Sequence, residues 1–253
     1  MRKYWGIAAA VAIFYVTFGL FWVNMMGVGW ANESSQVYLE AEGKDFVIVW
    51  NSGGWGRKSF QDDADWVGIF DGIESELRDM GYSSVTVDYI RSENNLRGLL
   101  KEIAGALLGY PSRSKKLADE VDLLTKTDSE CKVILVGTCI GAIFVNEVMK
   151  HLKDNPRVYS VQVSQPFWYH ASTSQRSLVI NNNGESPDIL SKGNPWSIIR
   201  ENVWRLPTTE KPPGGAVMIG DRFIKVPGHE YRWDLPRVRS EITSFLHTYF
   251  GSQ

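Results

Sequence analysis

Residues 45–253 are predicted to adopt an α/β fold, a mostly parallel sheet with helices on both faces, preceded by an N-terminal transmembrane helix. Three observations carry this prediction. Short apolar runs rich in β-branched residues, such as Val133–Val136, alternate with amphipathic stretches from Asp45 to the end. The apolar runs are continuous rather than alternating, as in strands buried on both faces of a parallel sheet. The first thirty or so residues contain an uncharged segment long enough to cross a bilayer.

That segment is Tyr4–Val23, about twenty residues, which as a helix would span roughly 30 Å. Tyr4, Trp5 and Trp22 stand at its ends, where aromatic belts form. Arg2 and Lys3 precede it and no basic residue follows before Lys44. This asymmetry predicts a single-pass protein with a cytoplasmic N-terminus and an extracytoplasmic domain. The alternative is a cleaved signal peptide and a secreted or periplasmic product. Gly29-Trp30-Ala31 would serve as the cleavage site, although the apolar run exceeds the usual length of about 7–15 residues. Residues 1–30 are thus assigned to the anchor, 31–44 to a polar linker and 45–253 to the α/β domain. Asn32-Glu33-Ser34 fits a glycosylation sequon.

Asp45–Trp50 reads as the first strand and runs into the glycine-rich stretch Asn51–Gly56. Asp65–Met80 is an amphipathic helix with Trp66, Ile69, Phe70, Ile73 and Leu77 on one face, stopped by Gly81. The acidic run Asp62–Asp65 complements that helix's dipole and has no Cys or His nearby, so no metal site is expected. A strand at Ser84–Ile90 and helices at Leu96–Leu108 and Lys115–Thr125 follow. Val158–Val163 and Ser177–Asn181 are further strands. Between them the aromatic cluster Gln165–His170 lies at the sheet end where pockets form, or is ordinary packing. Lys192–Gly215, rich in proline, reads as loop with short helical pieces. Ala216–Ile219 reads as the last strand, continued by Phe223–Val226, before the closing helix Leu235–Tyr249.

The stretch Lys132–Met149 organises the rest. The strand Val133–Val136 leads into Gly137-Thr138-Cys139-Ile140-Gly141, and Ala142–Met149 reads as an apolar helix. Strand, Gly-x-nucleophile-x-Gly, helix is the pattern of a nucleophile elbow. The glycines are needed because a Cβ at either flank of so tight a turn would strike backbone. The central side chain, here Cys139, sits at a helix N-terminus, where N–H groups favour a thiolate or an oxyanion.

On these residues the chain resembles the α/β-hydrolase superfamily, with cysteine where serine is usual, as in dienelactone hydrolases. The resemblance covers residues from Asp45 onward. It implies the order nucleophile, acid, histidine, which Cys139, Asp188 and His229 satisfy. Asp188 is preferred as acid because it lies several residues past a strand, after a glycine; Glu185 is the alternative, and Asp221 would follow the wrong strand. The resemblance also makes Ser52, Gly53 and Gly54 the oxyanion loop, working with the N–H of Ile140. His-Gly-Gly-Gly stands there in many members, and this chain has Asn-Ser-Gly-Gly.

The chemistry expected of these residues is acyl transfer. Cys139 would attack a carbonyl as thiolate, on a turn predicted to be exposed, and His229 would carry protons with a carboxylate orienting its ring. His151 and His247 fall on helices and read as surface residues. Cys131 lies at the start of the elbow strand, roughly 26 Å from Cys139 along it, too far for a disulfide. Composition is ordinary for a globular protein, 43% hydrophobic and 22% charged. A net charge of −2 gives no sign of nucleic-acid binding. No cofactor is expected; the expected partners are a small-molecule acyl substrate and, through the N-terminal helix, a membrane. Two function classes stand: a membrane-anchored enzyme cleaving or transferring an ester, lactone or thioester acyl group, and a catalytically silent binding or assembly module of the same fold.

Overall fold

The computed structural model describes residues 41–92, 96–172, 174–193, 195–202, 209–211, 214–219 and 222–251. The predicted anchor, the sequon and Asp221 lie outside the described residues. Among the described residues no helix is long and apolar enough to cross a membrane.

Five strands make the sheet: β1 (Phe46–Asn51), β2 (Ser84–Asp88), β3 (Lys132–Thr138), β4 (Val158–Val163) and β5 (Ser177–Ile180). Their order is β2-β1-β3-β4-β5, and each neighbouring pair is parallel. The helices are α1 (Ala64–Asp79), α2 (Leu96–Leu108), α3 (Pro111–Thr127), α4 (Ile140–His151), α5 (Ile189–Lys192), α6 (Pro195–Asn202) and α7 (Pro236–Phe250).

Period-two alternation sorts the central strands' side chains into two cores. Val47, Val49, Val133 and Leu135 pack with Leu117 and Val121 of α3 and Ile143, Phe144 and Val148 of α4. Phe46, Ile48, Trp50, Ile134 and Val136 face the other way, onto Trp66, Ile69, Phe70 and Ile73 of α1 and Val238, Ile242 and Leu246 of α7. Both faces of β1 and β3 are therefore covered, which is why these strands are unbroken apolar runs. Each fully buried Val, Ile, Leu or Phe stabilises the fold by about 1.5–3 kcal/mol relative to exposure.

The C-terminal strands differ from expectation. β6 (Ala216–Ile219) and β7 (Arg222–Lys225) do not extend the parallel sheet. They pair antiparallel with each other as a separate two-stranded hairpin. Val217 of the hairpin and Ile198 of α6 pack against the small cluster that Cys139 forms with Leu190 and Val226.

Candidate active site

The register Asn51↔Gly137 brings the C-terminal ends of β1 and β3 side by side, so the Ser52–Gly54 loop and the elbow emerge together. The two elbow glycines have no room for a side chain. A Cβ on Gly137 would lie 2.5 Å from Gly141 O, and one on Gly141 would lie 2.1 Å from Asn51 O. Between them Cys139 adopts φ 53°, ψ −119°, a conformation costing a non-glycine residue about 1–3 kcal/mol. Its N–H is held by Val163 O at 2.9 Å, and its carbonyl accepts from Ala142 N at 3.0 Å as α4 begins.

Cys139 is 4% exposed, not on an open turn as its sequence context suggests. It is buried in a cluster with Leu190 and Val226, against which Ile198 and Val217 pack, a tertiary arrangement that the local sequence cannot reveal. A pocket of about 80 Å³ remains beside the thiol, walled by Gly53, Thr138, Val217, Phe223, His229 and Tyr231. The aromatic pair Phe167–Trp168 lies elsewhere, each ring about two-fifths exposed (43% and 42%) and outside those walls.

His229 and Asp188 arrive on neighbouring loops, and Gly228 allows their contact. It has φ +76°, and a Cβ there would sit 2.2 Å from Pro187 O and 2.8 Å from Asp188 N. Ile189 N donates to Pro227 O at 3.2 Å, and His229 N to Val226 O at 3.1 Å, so both loops are pinned. His229 Nδ1 lies 3.1 Å from Asp188 Oδ2 and 2.6 Å from Ser164 Oγ. The imidazole and the Cys139 side chain line the same pocket, side by side. Nδ1 is committed to Ser164 and Asp188, which leaves Nε2 for the thiol.

Asp188 is fully buried and densely coordinated. Oδ1 accepts the Leu190 N–H at 2.9 Å and the Ser191 N–H at 3.4 Å, capping α5. Oδ2 accepts from the Tyr231 hydroxyl at 3.0 Å and from Ser164 Oγ. Burial works against the Asp188 carboxylate, but the hydrogen bonds from His229, Ser164 and Tyr231 outweigh it and hold its pKa below the usual value. Burial likewise disfavours a charged His229, yet its hydrogen bond to Asp188, the charge of that carboxylate and the neighbouring Cys139 side chain raise its pKa to about 9. Tyr231, buried against the same carboxylate, is pushed well up and stays a neutral donor. Cys131 is also buried, and burial together with Asp128 pushes its thiol up to about 11. Both cysteines are free thiols.

The structure thus brings Cys139, His229 and Asp188 together, with Ile140 at the start of α4 and Ser52–Gly54 beside them. The N–H groups of Gly53 and Ile140 meet no acceptor among the described residues. Glu185 is exposed, its N–H bonded to Asn183 Oδ1 at 3.0 Å, and the carboxylate that meets His229 is that of Asp188 instead. Exposed His151 lies 3.3 Å from Ser114 Oγ and exposed His247 lies 3.2 Å from Glu76, both away from the pocket. Sequence reasoning missed two members. Ser164 follows β4 directly, the position at a strand's C-terminal end where sites collect, and its φ of 56° marks it as strained. Tyr231 stands two residues past His229 and carries no motif of its own. Among the described residues no cluster of His, Cys, Asp and Glu could hold a metal ion.

No protein-family model matches the chain, and no curated protein matches it by sequence. Among solved structures it is similar to Trichoderma reesei cutinase in complex with a C11Y4 phosphonate inhibitor. The TM-score is 0.50 at 12% identity, over 94% of this chain and 98% of that one. At that identity the likeness is one of fold, and with the parallel sheet and its flanking helices it makes this an α/β-hydrolase-like architecture.

Proposed function

We propose that the protein is a hydrolase or acyltransferase of esters, lactones or thioesters that uses Cys139 as nucleophile. The observation that carries this reading is the convergence of three groups: Cys139, on a strained turn at a helix N-terminus, lines one pocket with His229, and His229 Nδ1 lies 3.1 Å from Asp188 Oδ2. Below pH about 9 the imidazole is protonated, and an imidazolium beside a cysteine at a helix N-terminus is the setting in which a thiolate nucleophile forms. The thiolate attacks the acyl carbonyl. The oxyanion is received by the N–H of Ile140 and one from Ser52–Gly54. His229 protonates the leaving group, then takes a proton from the water or alcohol that attacks the thioester. Asp188 and Ser164 hold Nδ1 and so keep the ring's orientation and tautomer.

A pocket of about 80 Å³ favours a small acyl group such as acetyl, or requires the hairpin that walls it to shift for larger ones. The name of the similar cutinase agrees with an ester as substrate. The uncharged run behind Arg2-Lys3 supports a single-pass anchor with the domain outside. The silent-module reading draws on one observation, the 4% exposure of Cys139. Hydrolysis of p-nitrophenyl acetate separates the two. The enzyme reading expects turnover that His229→Ala lowers by a factor on the order of 10² without unfolding the protein; no turnover, or turnover unaffected by that change, favours the module.

A further inference from the structure

A buried arginine lies behind the Ser52–Gly54 loop, away from the triad. Arg91, 1% exposed, donates from Nη2 to Ser52 O at 2.8 Å, and its backbone N–H donates to Gly56 O at 2.6 Å. Its guanidinium lies 5.4 Å from the Phe144 ring centre. Nε is 3.3 Å from Glu102 Oε2, and Glu102 also accepts from Arg113 Nη1 at 2.6 Å and from the Tyr110 hydroxyl at 3.0 Å. Two guanidinium groups therefore share one carboxylate, and the cluster carries net positive charge directly behind the loop. The loop is wrapped on it: Gly56 has φ +69°, and a Cβ there would sit 2.7 Å from Arg91 Nη2.

Such a group is expensive. Removing a guanidinium from water is strongly unfavourable, and an apolar side chain of similar volume would fill the space at less cost. Arg91 Nη1 has no partner among the described residues, so the local pairing is incomplete as well. What the guanidinium alone supplies is a charge-assisted bond to one loop carbonyl, that of Ser52. In a trans peptide unit the C=O and the following N–H point in opposite directions, and the described chain has no cis bonds.

We propose that Arg91 is a positioning residue for the oxyanion loop: by holding the Ser52 carbonyl on its own side, it turns the Gly53 N–H toward Cys139. Gly53 walls the pocket, its N–H meets no acceptor among the described residues, and a Cβ on it would lie 3.3 Å from Cys139 Cβ, so this peptide unit abuts the nucleophile. The guanidinium also polarises the peptide it binds, making Gly53 N–H a stronger donor. The proposal rests on the acyl-transfer reading above.

The test compares two reactions of one thiol. Acylation of Cys139 by p-nitrophenyl acetate develops an oxyanion; alkylation by iodoacetamide, a displacement at saturated carbon, does not. Arg91→Met should lower kcat for the ester by a factor on the order of 10² with KM nearly unchanged, and leave the alkylation rate of Cys139 as in wild type. Arg91→Lys, which keeps a charge and a donor, should fall between. Unchanged ester kinetics in Arg91→Met, or equal losses in both reactions, would overturn the proposal. A wild-type protein that alkylates but never acylates would instead remove the acyl-transfer reading, and the proposal with it. Should neither variant fold, the wild-type protein carries the test by NMR. Forming the hemithioacetal of acetaldehyde on Cys139 should move the Gly53 amide proton downfield, and an unmoved resonance overturns the proposal.

Discussion

Gly141→Ala tests the elbow without touching a titratable group. A Cβ at this position would stand 2.1 Å from Asn51 O, 2.7 Å from Ser52 O and 2.9 Å from Asn51 C, all of them backbone. Ordinary carbon contacts begin near about 3.5 Å, so α4 and the end of β1 must separate by more than about 1 Å. Neither can yield cheaply, since Asn51 pairs with Gly137 in the ladder and Ala142 and Ile143 are fully buried. Overpacking of this kind costs about 1–3 kcal/mol. For a domain of this size that lowers Tm by about 2–12 °C. The same separation moves Ile140 N–H away from Ser52–Gly54, and a misplacement of about 1 Å at reacting groups lowers a rate on the order of 10²-fold. Scanning calorimetry and p-nitrophenyl acetate kinetics measure the two effects. A folded variant with wild-type Tm and wild-type kcat would refute both the contact geometry and its place in the site.

Two further outcomes follow from the charges. His229 has its folded pKa raised to about 9 from an ordinary 6.5, so its pairing stabilises the fold fully below pH about 6.5, and that contribution fades as pH rises through about 9. The Tm difference between wild type and His229→Gln should therefore shrink between those limits; a difference independent of pH would show that His229 does not titrate as described. The two thiols should also separate in reactivity. Burial and Asp128 push Cys131 up to about 11 and it is fully buried, whereas Cys139 has His229 beside it, so iodoacetamide at pH 7 should modify Cys139 first. Peptide mapping that finds Cys131 modified as fast would contradict this.

The parallel sheet was legible because its strands are buried on both faces: Phe46–Trp50 and Val133–Val136 have no polar interruption, and the strand–helix alternation around them admits few other topologies. The elbow was legible because two close backbone approaches demand glycine at Gly137 and Gly141. The hairpin was not. Ala216–Ile219 is only four residues, too short for periodicity to say which partner it takes. A usable signal did exist, since Gly220-Asp221 between the two apolar runs fits a two-residue hairpin loop. The burial of Cys139 was invisible for a related reason: its cluster partners Leu190 and Val226 lie 51 and 87 residues further along the chain, and no local pattern encodes such contacts. Ser164 and Tyr231 joined the site through Asp188, a buried carboxylate that needs donors whose identity only tertiary structure supplies.

Cys139 as an acyl-accepting nucleophile is tested most directly by trapping the intermediate. The protein is mixed with p-nitrophenyl acetate, quenched in acid within the first turnover, and digested for peptide mapping by mass spectrometry. The expected result is a single acetyl group on the peptide bearing Cys139, labile to hydroxylamine as a thioester is, and none on Cys131. Acetylation at any other residue with Cys139 left free, or release of p-nitrophenolate with no adduct on Cys139 even in the His229→Ala protein, would contradict it.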